Sequence, residues 1–267
     1  MNRITKLVFQ CLVLFLFTSC GNKSNDKPAA GKLQIVFEHR VKGQLLVKNQ
    51  MIFTNSAGNL YEISGLKYFI SDVTLYNHDG STYVINSVSR SRYVDIDIPD
   101  SLTWHIPDNI PAAKYDSLSF TFGLNEQLNK SNSFVNPPQS NMAWPEVLGG
   151  GYHFLMMDGW FNNTFGVRTP FNFHLGTGQN YSSGTDTRNI TGFVQNYFKV
   201  KIPSSNFEIT SLKTQKIIIV MNVDSWFNTP INWDFNQWSS TMQNQVAMQT
   251  MIFNGADVFS FGTELVP

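Results

Sequence analysis

Between Met142 and Gly176 the chain reads MAWPEVLGGGYHFLMMDGWFNNTFGVRTPFNFHLG. This stretch holds His153 and His174, two of the five histidines, together with Trp144, Trp160, the carboxylate of Glu146 and the thioethers of Met142, Met156 and Met157. Neutral imidazole and thioether sulfur suit a late first-row metal, copper above all, whereas magnesium and calcium demand carboxylate and carbonyl oxygen. Each histidine also has a plainer reading. His153 shares a face with Leu155 and Met157 behind the glycines 149–151 and could simply pack there. His174 falls with Asn172 on the face opposite Phe171, Phe173 and Leu175, where a histidine could face solvent.

The elements that must position these side chains read as strands. Short runs of β-branched and aromatic residues alternate with Gly, Asn, Asp, Ser and Pro clusters, the pattern of an antiparallel sandwich or barrel. Leu33, Ile35 and Phe37 alternate with Gln34 and Glu38, so period-two geometry turns His39 inward with them. Leu118, Phe120 and Phe122 alternate with serine and threonine, and Val94, Ile96 and Ile98 alternate with Tyr93, Asp95 and Asp97. The unbroken run from Ile217 to Met221 suits a central strand covered on both faces. Asp79-Gly80 marks a hairpin turn after a strand ending at Tyr76. Ser239 to Met251, free of Gly and Pro, reads as a helix capped at Ser239 or Ser240 with Met242, Val246 and Met251 toward the core. The expectation is an all-β, single-domain antiparallel β-sandwich with long loops and one short C-terminal helix.

The N-terminus carries an address. A basic start (Arg3, Lys6), an apolar run from Leu7 to Phe17 and then Thr18, Ser19 and Cys20 resemble a bacterial lipoprotein signal. The run is shorter than the roughly 20 apolar residues that a spanning helix needs, and fits a signal core of about 7 to 15. Residues 1–19 are therefore read as a signal peptide, Cys20 as the lipidated mature N-terminus, residues 20–31 as a flexible tether and residues 32–267 as the folded domain. Cys11 and Cys20 are the two cysteines, so none remains for a disulfide even in a compartment that permits one. Attachment is expected through acyl chains at the membrane of the bacterial envelope, the outer membrane on its periplasmic or surface face.

Removing residues 1–19 takes two of 19 basic residues and none of 19 acidic ones, which leaves 17 against 19 and a net charge of −2. With 14% charged residues and no basic cluster, the chain does not offer the positive groove that a nucleic acid requires. No nucleophile elbow, HExxH, Walker loop or dinucleotide fingerprint is present, so no enzymatic activity is expected. Asp95 and Asp97, two apart on a strand, read as a solvated edge rather than a glycosidase pair. Trp226, Trp233 and Trp238 read as staples of a long loop. His78, in the Asp79-Gly80 turn, and His105, in the WHIPD loop (104–108), read as surface histidines.

Several blocks in order resemble the MbnP-like family of copper-binding bacterial envelope proteins. They are QIVFEHRVKGQLL (34–46), GNLYEISGLKYFISDVTL (58–75), LSFTFGLNEQLN (118–129), the MAW to DG block (142–159), FNFHLG (171–176), VDSWF (223–227) and MQNQVAMQTMIFNGADVF (242–259). The resemblance implies a secreted or lipid-anchored β-rich domain. Some members bind copper through histidines and a tryptophan that a dihaem partner resembling bacterial cytochrome c peroxidases oxidises to kynurenine. Trp144, after Met142, matches the position of that tryptophan, although Pro145 and Glu146 follow it where the motif has a second aromatic or histidine. On this resemblance His39 and His174, with one of His153, Met142 or Glu146, form the copper ligand set, and affinity should fall below about pH 6 as imidazoles protonate. The rival reading is a metal-free surface module that recognises a glycan or a protein through aromatic loops.

Overall fold

Buried and half-buried residues alternate along the whole opening strand, Ala30–Val41, with Leu33, Ile35, Phe37 and His39 all on its buried side. The computed structural model describes residues 29–86, 90–203 and 206–262. The stretch read as a signal peptide, Cys20 and most of the residues read as a tether lie outside the described residues. The strand begins at Ala30, just inside the stretch read as tether.

Two sheets form the sandwich. In the first, the opening strand pairs antiparallel with Thr103–Pro111 and with Gln44–Leu45, and parallel with Thr214–Asn222, which in turn pairs with Phe259–Gly262. The parallel pair departs from the purely antiparallel expectation. Residues 217–221 are all buried, because their strand lies between two others and is covered on both faces. The second sheet runs Arg168–Leu175, Leu155–Asn162, Leu60–Asn77, Ala113–Phe122 and Phe198–Ile202, with shorter strands flanking it. Aromatic side chains join the sheets: Phe259 of the first meets Phe120 edge-on at 5.1 Å between ring centroids and Phe122 at 5.6 Å.

Three local expectations are corrected. The helix is Gln245–Gly255, capped by the Asn244 side chain, which accepts from the Ala247 backbone N–H at 3.0 Å. That cap lies beyond the expected serines and leaves Val246 exposed while Ala247, Met248 and Met251 are buried. Asp95 is buried rather than solvated: its carboxylate accepts from the Tyr93 hydroxyl at 2.6 Å and from the Asp97 N–H at 2.9 Å, which fixes the turn after its strand. His105 is exposed as expected, but on a strand instead of a loop.

Candidate metal centre

His174 lies on the edge strand Arg168–Leu175 of the second sheet, facing away from the buried Phe171, Phe173 and Leu175. Despite that orientation it is only 7% exposed. The His153 ring lies over it at 5.2 Å between centroids, and a segment distant in sequence runs along the strand edge. Asn172 N–H donates to the Ser239 carbonyl, and the Thr241 hydroxyl accepts from the His174 N–H at 2.7 Å and donates to its carbonyl at 2.6 Å. The ring is fixed from the neighbouring strand, Leu155–Asn162. His174 Nε2 donates to Asp158 Oδ1 at 2.9 Å, and Asn172 Nδ2 donates to the same oxygen at 2.7 Å. Burial pushes the Asp158 carboxyl up, but the bond to His174, its charge, the Asn172 amide and the charge of Lys67 together hold it below the usual carboxylate range.

His153 precedes the strand Leu155–Asn162 and is set by a loop. An antiparallel bridge between Ala143 and Tyr152 closes that loop, and the Met142 carbonyl accepts both the His153 backbone N–H at 2.7 Å and His153 Nδ1 at 3.0 Å. Nδ1 therefore carries the proton and Nε2 is left as a lone pair. Burial pushes the ring down to about 4, against the opposing pull of the Met142 carbonyl and with the help of the His174 charge. This moves the competition between proton and metal at His153 well below the pH 6 expected from ordinary imidazoles.

The two rings meet edge to face, 5.2 Å between centroids and 87° between planes. His153 Nε2 and His174 Nδ1 are both buried and have no hydrogen-bond partner. A buried ring nitrogen without a partner is costly, and here two of them belong to rings in contact. In each, the other nitrogen is held by an oxygen acceptor, a carbonyl for His153 and a carboxylate for His174. Metal-binding histidines are arranged in this way, because the outer acceptor fixes the tautomer and aims the free nitrogen. Two imidazoles bound to one ion at about 2.0 Å have centroids within roughly 6 Å of each other, and the observed spacing satisfies that bound. The donor set fits a copper ion.

Trp144 completes one wall. It is 2% exposed, its ring lies 4.6 Å from that of His153 and its Nε1 donates to the Leu148 carbonyl at 3.1 Å. Met142 is fully buried and contributes its carbonyl. Glu146 is exposed, and its carboxylate lies against Gly150.

His39 is not brought to this pair. It belongs to the first sheet, where its Nε2 lies 3.2 Å from the Tyr68 hydroxyl and its ring meets Tyr68 edge-on at 5.7 Å. Burial pushes it down to about 3. The expected partnership of His39 with His174 is thus replaced by one of His153 with His174. Among the described residues, no three or more His, Cys, Asp or Glu side chains gather as a metal cluster. Asp158 and Thr241 were not singled out in the sequence. The alternation of Met156, Asp158 and Trp160 along one strand was the available signal for Asp158; nothing local marks Thr241.

A family model described as MbnP matches residues 30–248. Among solved structures the chain is similar to MbnP from Methylosinus trichosporium, with 15% identity, 75% of this chain and 77% of that chain covered, and a TM-score of 0.46. No curated protein sequence matches the chain.

Proposed function

Because the chain belongs to the MbnP family, we propose that it is an envelope-anchored copper-binding protein that holds copper between His153 and His174. The observation that carries this reading is the pair of buried, unpartnered nitrogens on two rings 5.2 Å apart. Copper(I) accepts such a sparse, soft donor set, whereas structural zinc takes four protein donors. The bound ion supplies a single redox-active centre. The chain supplies two imidazoles, a carboxylate that orients one of them, and an indole wall that excludes water from the other. Trp144, packed on His153, is the residue we assign to oxidation by a dihaem partner. The role is one of binding rather than catalysis. Cys20 acylation would hold the domain at the membrane.

Copper uptake by the purified mature protein tests the reading. His153→Gln and His174→Gln should each abolish stoichiometric copper(I) binding in a chelator competition, while His39→Gln should retain it. Uptake that survives both of the first two substitutions would falsify the site. Asp158→Asn keeps the shape but removes the charge behind His174, and losing the acceptor behind a metal-bound histidine weakens metal affinity about 10- to 100-fold. An affinity unchanged in Asp158→Asn would mean that the His174 ring is not a ligand through Nδ1.

A further inference from the structure

We infer that the thioether of Met156 is a third donor to the copper, an inference that rests on the histidine reading above. Met156 stands directly opposite His174 in the antiparallel pairing of Leu155–Asn162 with Arg168–Leu175. The kind of pair follows from the backbone. Both polar groups of His174 turn outward to the Thr241 hydroxyl, whereas the carbonyl of the next residue, Leu175, accepts from Phe154 N–H on the inner side. His174 and Met156 therefore form a non-hydrogen-bonded pair, the closer of the two antiparallel kinds, with Cα atoms about 4.5 Å apart and side chains side by side on one face.

The face is the right one. Leu155 and Met157 are fully buried toward the sandwich core, while Met156 alternates with them and lies half-buried on the side of His174 and Asp158. Methionine has three rotatable bonds and a soft sulfur without a proton to lose, so it can adjust to an ion beside it and favours copper(I). Other donors are occupied or elsewhere. Glu146 is exposed, the Met142 carbonyl already accepts two hydrogen bonds, and no third histidine, cysteine or carboxylate joins a cluster among the described residues.

X-ray absorption at the copper edge of the copper(I)-loaded mature protein, together with chelator competition, tests the assignment. Wild type should show sulfur as well as nitrogen around copper. Met156→Leu, nearly equal in volume, should lose the sulfur and bind copper(I) roughly ten-fold or more weakly, because a soft donor is gone. Met157→Leu, on the core face, should keep both the sulfur and the affinity. A wild-type spectrum with nitrogen or oxygen only, or a sulfur signal that survives Met156→Leu and disappears in Met142→Leu, overturns the assignment and leaves the histidine pair standing. Wild-type protein that takes up no copper overturns both.

Discussion

Gly159→Ala is expected to destabilise the fold by about 3 kcal/mol or more and to lower copper affinity with it. A Cβ at Gly159 would lie 2.0 Å from the Glu62 carbonyl oxygen and 2.6 Å from the Phe171 ring. The first of these atoms is backbone in the adjacent strand, so relief requires the strands themselves to part. Gly159 follows Asp158, whose carboxylate fixes His174, and a strand displaced there carries the carboxylate away from the imidazole. Gly176→Ala acts on the other wall: its Cβ would lie 2.5 to 2.8 Å from three atoms of the Trp144 ring. That ring is pinned between Gly176 and His153, so about 1 to 3 kcal/mol should be lost through overpacking. Gly65, also in a strand of this sheet, has nothing within 4 Å of an added Cβ, and Gly65→Ala should stay within about 1 kcal/mol of wild type. Urea midpoints for the three variants, measured beside copper affinity, check the ranking. A Gly159→Ala protein as stable as Gly65→Ala would show that the strands are not held as tightly as described.

Alternation along single strands was legible in the sequence, and contacts between distant strands were not. Leu33 to His39 shows this division. The inward turn of His39 follows from period two, but its neighbour depends on how the sheets stack, and stacking delivers Tyr68 instead of His174. For His174 the face was also readable. Its burial was not, because the His153 ring covers it from 21 residues earlier and Ser239 to Thr241 line the strand edge from some 67 residues away in sequence. Period two put His153 on the face of Leu155 and Met157, but it sits in a loop before their strand, where no period applies; its ring meets His174 instead, and the carbonyl that fixes its tautomer lies 11 residues earlier. The helix shows the reverse case, since a local signal was available in Asn244, a strong capping residue, and the shift of the cap from Ser239 or Ser240 carried Val246 to the outer face. The matching family model spans 30–248, and it agrees with the ordered blocks without specifying which histidines converge.

Acid is expected to unfold the metal-free protein near pH 4, with His39 responsible for about half of the loss. Burial holds His39 down to about 3 and His153 down to about 4, against 6.5 for free imidazole. Both rings are neutral in the folded state, whereas the unfolded chain takes up a proton at each as pH falls below 6.5. The stability they contribute is thus fully present above about pH 6.5, and it drains away as pH falls toward the two folded values. Between pH 7 and pH 4 each ring shifts the balance by roughly 3 kcal/mol, so the two together reach about 6 kcal/mol, a large share of a typical domain's 5 to 15 kcal/mol. Among the described residues no carboxylate pairs with His39; its ring contact is the Tyr68 phenol, itself pushed up by burial and so neutral throughout this window. His39→Gln retains a group that can bond that phenol and cannot titrate. Denaturant unfolding at pH 7 and pH 4.5 should therefore show wild type losing several kcal/mol between the two conditions and His39→Gln losing about half as much. Equal losses in the two proteins would mean that His39 gains its proton without leaving the core. Copper held at His153 should protect only the share of the loss that belongs to that ring, because a proton on His39 enters a different sheet from the metal.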